Sequence, residues 1–142
     1  MKKFNVAIVG ATGAVGEVLI ELLETREFPI DTLYLLASSR SAGTSLNFAG
    51  KRITVSAIDD FDFSQAHIGL FSAGGSVSAE YAPKAASAGC IVVDNTSHFR
   101  RDDDIPLVVS EVNPEAIGGY TERNIIANPN CSTIQMLVAL KP

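Results

Sequence analysis

Cys131 is the residue whose surroundings best fit covalent chemistry. It lies in the segment 128–133, with the sequence NPNCST, directly before a stretch that has helical spacing. Unpaired backbone N–H groups and the helix dipole stabilise an anion at the start of a helix, so this position favours a thiolate. Asn130 and Ser132 are candidate donors to an oxyanion, assisted by the helix amides. The alternative is a small buried residue, the usual role of a cysteine and the one predicted for Cys90.

A glycine-rich loop near the start of the chain predicts a cofactor. Gly10, Gly13 and Gly16 follow the apolar segment 4–9 and open a helical stretch over 15–24. Such glycines allow a tight turn and a close approach of the backbone to a pyrophosphate, whose charge a helix N-terminus favours. The alternative is a turn that only packs a helix on a strand. Together with a cysteine nucleophile, the loop indicates a nicotinamide-dependent enzyme that works through a thioester.

The end of the second predicted strand, 32–37, indicates which dinucleotide is bound. An NAD site usually has a carboxylate here, because it binds the ribose 2′-hydroxyl. This chain has Ser39, Arg40 and Ser41 instead. Their charge and hydroxyls suit a 2′-phosphate, so we predict NADP rather than NAD. The alternative is a solvated arginine in a flexible loop.

Two further loops carry candidate ligand-binding residues. The segment 72–76 (SAGGS) is expected beside the nicotinamide end of the cofactor, with Ser76 capping the next helix. Arg100 follows a strand-end loop that contains Asn95, and a guanidinium there suits a phosphate or a carboxylate. The alternative for Arg100 is a surface ion pair with one of the aspartates 102–104.

A cysteine nucleophile needs a base within reach. The chain has two histidines, His67 just before a predicted strand and His98 in the loop that leads to Arg100. Both are predicted to be structural, although His98 lies close enough in sequence to approach the edge of the site. The lack of an evident base is the main argument against a complete enzyme built from these residues alone.

The alternation of apolar strands and helical stretches predicts the fold. It is an α/β, doubly wound, mostly parallel sheet with right-handed crossovers, a Rossmann-type NADP-binding domain. Pro83 predicts a late start or a bend in the second helix, and Gly89 its end. Ligands of such sheets bind at the carboxyl ends of the strands, where all of the loops above are expected. Strands are expected at 4–9, 32–37, 68–71, 91–93, 107–109 and 125–127, two short strands of an edge hairpin within 46–55, and helices at 15–24, 76–88 and 131–140.

Composition excludes several classes of function. The formal net charge of -5 leaves no basic stripe for a nucleic acid, and no apolar run approaches the ~20 residues that span a bilayer. Two cysteines without ligand-like histidine spacing predict no metal site. The chain is therefore expected to be a cytoplasmic protein with reduced thiols that acts on a small molecule.

These motifs together resemble aspartate-semialdehyde dehydrogenase. The resemblance covers the whole chain and rests on 10–16 (GATGAVG), 39–43 (SRSAG), 72–76 (SAGGS), Asp94 and Asn95 with Phe99 and Arg100, 106–113 (PLVVSEVN) and 128–133 (NPNCST). It implies the interconversion of L-aspartyl 4-phosphate and L-aspartate 4-semialdehyde with NADP, on the route to lysine, methionine and threonine.

The resemblance also implies a role for each motif. Cys131 would attack the acyl phosphate and expel phosphate, with Asn130 beside it, and the thioester would accept a hydride from NADPH. Arg100 and Asn95 would bind the substrate phosphate. The cofactor would be bound by Gly10, Thr12, Gly13, Ala14, Val15, Ser39, Arg40, Ser41, Ser72 and Gly74.

Length is where the chain departs from the resemblance. Members of that family are more than twice as long, and their second domain supplies the base histidine, a glutamine near the thioester, the substrate-carboxylate ligands and most of the dimer contact. Residues 1–130 would then be the NADP-binding domain, and 131–142 the first helix into the substrate and dimerisation domain, the rest of which is absent from this chain. The isolated chain is expected to be an inactive fragment, and the full-length protein a homodimer or homotetramer.

Two other functions stay open. N-acetyl-gamma-glutamyl-phosphate reductase has related chemistry but typically carries Pro-Gly-Cys around its cysteine, and Asn130 argues against it. A stand-alone NADP-binding module without turnover is the alternative from another class.

Overall fold

A computed structural model describes residues 1–141. Within this range seven strands and three α-helices form. In chain order they are β1 (Phe4–Val9), α1 (Ala14–Thr25), β2 (Ile30–Ala37), β3 (Ser45–Phe48), β4 (Lys51–Ala57), β5 (Ile68–Phe71), α2 (Gly75–Ser87), β6 (Ile91–Asp94), β7 (Ile125–Ala127) and α3 (Cys131–Leu140). Short 3-10 segments lie at Ile58–Asp60, Phe63–Gln65 and Pro114–Glu122. Among these residues, no helix combines the length and apolar composition that crossing a membrane requires.

The strands form one sheet in the order β3-β4-β2-β1-β5-β6-β7. Every pairing is parallel except that of β3 with β4. The chain winds outward from β1 in one direction and then returns to add β5, β6 and β7 on the other side, so the sheet is doubly wound. The predicted α/β fold class is confirmed, and the carboxyl ends of the parallel strands share one edge.

Both faces of the sheet are buried near its centre, which explains why β1 is a continuous apolar run. Val6 and Ile8 pack in one core cluster with Ile20 of α1. Ala7 and Val9 point to the other face and pack in a second cluster that contains alanines of α2. The two helices thus fix opposite faces of the central strand, and their N-termini lie at the same edge.

The predicted edge hairpin is confirmed. β3 and β4 pair antiparallel, from Ser45 opposite Thr54 to Phe48 opposite Lys51. The two turn residues, 49 and 50, both have positive φ, at 50° and 75°. That geometry matches the right-handed twist of a tight hairpin.

The predicted strand at 107–109 does not form. Only Leu107 makes an isolated bridge, to Ala127. The side chain of Asn113 accepts from the Val109 backbone N–H at 2.8 Å and donates to the Leu107 carbonyl at 2.9 Å. These bonds occupy backbone groups that a strand would pair, so the segment turns away after one bridge.

The start of α2 also differs from the prediction. Gly74 is the N-cap, with φ of 99°, and no side chain caps the helix, so the capping role predicted for Ser76 is wrong. The positive φ lets the helix begin at Gly75, which places Ser76 inside its first turn. Pro83 lies within the helix, which continues to Ser87 instead of starting late. Gly89 follows its end with φ of 91°, as predicted.

The third glycine of the first loop is required by packing. A Cβ at Gly16 would lie 2.2 Å from the Gly10 carbonyl oxygen and 2.8 Å from Ala11 Cα. Both contacts are with backbone, which cannot move aside as a flexible side chain would. Gly16 therefore holds α1 against the turn, whatever the loop binds.

We predict that Gly16→Ala lowers the free energy of unfolding by about 3 kcal/mol, because the added methyl overpacks the turn. Urea denaturation of the 142-residue chain measures the loss. Gly118→Ala is the matched control, since an added Cβ there meets nothing within 4 Å, and it should change the value by less than about 1 kcal/mol. Equal losses in the two variants would contradict the packing role.

Candidate functional site

A cavity of about 510 Å³ lies at the carboxyl ends of β1, β2 and β5. Five residues predicted to bind a cofactor line it: Gly10, Thr12, Gly13, Ser39 and Ser72. The cavity brings together three loops that are far apart in the chain, as expected of the crevice at a switch of winding direction.

The other predicted cofactor residues do not line this cavity, but they lie close in the chain to residues that do. Ala14 and Val15 form the first turn of α1, where neither backbone N–H donates to an acceptor within residues 1–141. Arg40 and Ser41 continue the loop after β2, and the exposed Arg40 side chain has no ion-pair partner in the same range. Gly74 is the N-cap of α2.

The far wall of the cavity was missed by sequence reasoning. It consists of Ile58 and Asp59 after β4, with Val77, Glu80 and Tyr81 on α2. The Tyr81 hydroxyl donates to the Asp59 carboxylate, and this hydrogen bond raises the pKa of Tyr81 to about 12. The three helical positions follow the spacing of one helix face, which was the available signal, but the partner of Tyr81 lies 22 residues away.

Cys131 is the first residue of α3, and it is exposed. Asn130 is the N-cap, and its side-chain oxygen accepts from the Ser132 backbone N–H at 2.9 Å. That amide is therefore occupied, whereas the Asn130 amide group and the Cys131 and Thr133 backbone N–H groups donate to no acceptor within residues 1–141. The position at a capped helix start matches the prediction from sequence.

Cys90 is the contrasting thiol. It is fully buried between the end of α2 and β6, and its burial raises the pKa to about 12. The prediction of a buried structural cysteine is confirmed.

Arg100 joins the loops that follow β6 and β7. Its Nε donates to the Asn128 carbonyl at 2.9 Å and its Nη2 to the Asn95 carbonyl at 3.4 Å. The side chains of Asn95 and Asn128 are themselves hydrogen-bonded at 2.7 Å. The half-buried guanidinium is thus bonded to Asn128, which lies three residues before Cys131 in the sequence.

The alternative of an ion pair between Arg100 and the following aspartates is wrong. Asp104 pairs instead with Arg123, at 3.0 Å, and Asp102 lies 3.9 Å from the same guanidinium. Arg123 also lies over the Phe99 ring, 6.0 Å from its centroid. These contacts leave the free side of Arg100 without a carboxylate partner within residues 1–141.

A buried carboxylate supports this loop, and it was named from sequence only as part of the resemblance, without a role. Asp94, at the carboxyl end of β6, is 0% exposed. Its side chain accepts from Ser78 Oγ at 2.6 Å and from Thr96 Oγ1 at 2.8 Å. Apart from that motif, the signal in the sequence was a charged residue that directly follows three apolar ones.

Both histidine rings have partners other than the thiol. His67 precedes β5, at the sheet edge opposite to α3, and its Nδ1 accepts from the Asn5 backbone N–H at 2.9 Å. His98 lies edge-on to Phe99, and neither ring is hydrogen-bonded to Cys131. Within residues 1–141, no group of three or more His, Cys, Asp or Glu side chains is arranged to hold a metal ion.

The fold and these loops define a dinucleotide-binding domain with a half-buried guanidinium and an exposed thiol at the same edge. Comparison with known proteins gives the family. Residues 5–120 match the family model described as semialdehyde dehydrogenase, NAD binding domain. The chain belongs to this family, as the motifs in its sequence indicated.

Relatives within the family agree over nearly the whole chain. It is 67% identical over 141 residues to aspartate-semialdehyde dehydrogenase 2 of Vibrio cholerae, covering 99% of this chain and 42% of that protein. The crystal structure of aspartate semialdehyde dehydrogenase II complexed with ASA from Vibrio cholerae matches with a TM-score of 0.98 at 67% identity, over 99% of this chain and 46% of that one. The aspartate semialdehyde dehydrogenase from Candida albicans, whose crystal structure is with NADP, matches with a TM-score of 0.82 at 32% identity. The match covers 99% of this chain and 46% of that one.

The chain spans about two fifths of the length of the curated relatives that it matches. The matching part is N-terminal in them. The resemblance to the N-terminal part of aspartate-semialdehyde dehydrogenase is thus confirmed.

We predict that the native chain reacts with a thiol reagent at one cysteine only. Cys131 is exposed, whereas Cys90 is buried and stays protonated at mildly alkaline pH because its pKa is raised to about 12. Titration with a chromogenic disulfide should count one thiol in the native state and two after unfolding. Cys131→Ser should show none in the native state, and rapid labelling of that variant would contradict the assignment.

Proposed function

We propose that this chain is the cofactor-binding and nucleophile-bearing part of an NADP-dependent aspartate-semialdehyde dehydrogenase. The reaction is the reductive dephosphorylation of L-aspartyl 4-phosphate to L-aspartate 4-semialdehyde. The observation that carries the proposal is the position of Cys131, exposed at the start of α3 on the sheet edge that also holds the glycine loop and Arg100. The names of the relatives supply the substrate.

The residues of the cavity fit a dinucleotide. A Cβ at Gly10 would lie 3.0 Å from the Ser72 backbone, so glycine allows two loops of the cradle to pack closely together. The unpaired amides at the start of α1 and the helix dipole suit the pyrophosphate, and Arg40 with Ser39 and Ser41 suits a 2′-phosphate. Bound NADPH supplies the hydride that reduces the acyl group.

The side chains at the other end of the edge then have defined roles. The Cys131 thiolate attacks the acyl carbon, a C–S bond forms, and the bond to the phosphate oxygen breaks. Asn130 has an amide group available beside the oxyanion that forms in this step. Arg100, with Asn95 beside it, offers the departing phosphate the N–H groups that its two backbone bonds leave free.

The division of the protein follows from the same proposal. Residues 1–130 form the NADP-binding domain, and the segment 131–142 leads into a substrate and dimerisation domain that supplies the base. The exposed apolar side chains of Met136, Val138 and Leu140 support a contact of α3 with further chain. The whole protein is then a cytoplasmic homodimer or homotetramer.

Two alternatives stay testable beside this function. N-acetyl-gamma-glutamyl-phosphate reductase would use the same thioester chemistry, and Asn130 speaks against it. A stand-alone NADP-binding module is supported for the isolated chain, since no base is hydrogen-bonded to Cys131 within residues 1–141.

We predict that Arg40→Ala weakens NADPH binding by about 10- to 100-fold, the value of a lost charge-assisted hydrogen bond. Binding of NADH should stay the same, because it lacks the 2′-phosphate. Fluorescence titration of the 142-residue chain measures both. Arg26→Ala, an exposed arginine at the far end of α1, is the control, and an equal loss for both cofactors would remove Arg40 from the 2′-phosphate site.

A chimera tests the reaction itself. We predict that residues 1–142, joined to the remaining part of the Vibrio cholerae enzyme, reduce NADP in the presence of phosphate and aspartate semialdehyde. Cys131→Ala should lower the rate by roughly 10⁴-fold or more while NADP affinity is kept, because the nucleophile is lost.

Three controls complete the chimera experiment. Cys90→Ala should retain activity, since that thiol is buried away from the site. The isolated 142-residue chain should bind NADPH but not turn over. Preference for N-acetylglutamate semialdehyde would favour the reductase alternative, and activity of Cys131→Ala would contradict the thioester.

A further inference from the structure

Asp94 is a buried carboxylate that the proposed reaction does not use. It is 0% exposed and has no cationic partner within residues 1–141. Its charge is instead balanced by three donors: Ser78 Oγ at 2.6 Å, Thr96 Oγ1 at 2.8 Å and the Thr96 backbone N–H at 3.3 Å. Burying a carboxylate is costly unless such bonds satisfy it. The three bonds also hold the side chain in one orientation.

The bond from the Thr96 N–H controls the orientation of a single peptide group. That N–H and the Asn95 carbonyl belong to the same planar unit and point in opposite directions. Asp94 accepts from one end of the unit, and the other end accepts from Arg100 Nη2 at 3.4 Å. The carboxylate thereby fixes the direction of one of the two carbonyls that hold the guanidinium.

The second carbonyl is tied to the same residue. The Asp94 backbone carbonyl accepts from the Asn128 N–H at 2.8 Å, which joins the ends of β6 and β7. The Asn128 carbonyl in turn accepts from Arg100 Nε at 2.9 Å. Both acceptors of the guanidinium are thus one hydrogen bond away from Asp94, one through its side chain and one through its backbone.

The hydroxyl bonds extend the support in two directions. Thr96 Oγ1 donates to Asp94 and accepts from the His98 N–H at 3.3 Å, which shapes the turn that leads to Arg100. Ser78 lies fully buried on α2, the helix that begins after the loop at Gly74. Asp94 therefore anchors the Arg100 loop on the element that also carries a wall of the cofactor cavity.

The geometry points to Asp94 as a positioning residue that, through Thr96 and Ser78, aims the free N–H groups of Arg100 at an anionic group. Two of the five N–H groups of the guanidinium are held by carbonyls, and the remaining three are available to a phosphate or carboxylate. The identity of that anion as the substrate phosphate rests on the proposed function.

Asparagine is the sharpest substitution. It keeps the size of the side chain but replaces one acceptor oxygen with a donor, so either the Thr96 hydroxyl loses its acceptor at Oδ2, or Ser78 Oγ and the Thr96 N–H both lose theirs at Oδ1. We expect Asp94→Asn to speed hydrogen exchange of the Arg100 Nε–H at least about tenfold, as the loss of one hydrogen bond implies. The NMR signal is measured on the 142-residue chain and is assigned by its disappearance in Arg100→Lys.

Asp104→Asn is the matched control. It removes the same charge from the partner of Arg123 and should leave the Arg100 signal unchanged. Thr96→Val and Ser78→Ala probe the hydroxyl bonds separately, and they replace Asp94→Asn if that variant does not fold. Loss of stability with unchanged exchange of the Arg100 Nε–H, relative to other protected protons, would overturn the inference.

Kinetics of the chimera separate this inference from the proposed function. Asp94→Asn should raise the KM for phosphate about tenfold, with kcat and the KM for NADP within about twofold, because only the anion site is disturbed. Faster exchange with an unchanged KM for phosphate would support the role of Asp94 in positioning Arg100, and it would show that phosphate is not the ligand of Arg100. Equal changes in both KM values would mark Asp94 as a general structural residue and overturn the inference.

Discussion

Parallel pairing around β1 is the constraint on which the site depends. β1 is hydrogen-bonded to β2 on one side and to β5 on the other, with the same strand direction throughout. Each connection to a parallel strand must then return across a face of the sheet, so every such strand ends at the same edge. Strand direction, and not any contact between the loops, therefore brings four elements to this edge: the glycine loop, the loop of Arg40, the loop of Arg100 and the start of α3.

The same constraint gives this edge its electrostatic character. Helices α1, α2 and α3 all begin there, and each presents unpaired N–H groups and the positive end of its dipole. Such an edge favours anions, and Arg40 and Arg100 reinforce the preference. The Asp94 carboxylate does not occupy Arg100, because it accepts from Ser78 and Thr96 instead.

Sequence patterns predicted the structural features that depend on residues close together in the chain. The glycine turn, the hairpin at residues 49 and 50, and the helix start at Cys131 all follow from local backbone preferences and were placed correctly. Side-chain contacts over a long separation had no such signal: Tyr81 meets Asp59 across 22 residues and Ser78 meets Asp94 across 16.

The two errors have the same origin. A single residue with an unusual role overrode a local preference in each case. Gly74, with its positive φ, started α2 before Ser76, and Asn113 took the backbone groups that a strand at 107–109 needs.

The exposure of Cys131 and Arg40 weakens the electrostatic interactions that these residues can make, since charged interactions are weak where water reaches them. Cofactor binding needs only the cradle and the phosphate contacts, whereas attack by the thiolate and stabilisation of an oxyanion gain most of their strength when water is excluded. In the proposed function, whatever covers this edge therefore contributes to catalysis by excluding water as well as by supplying a base.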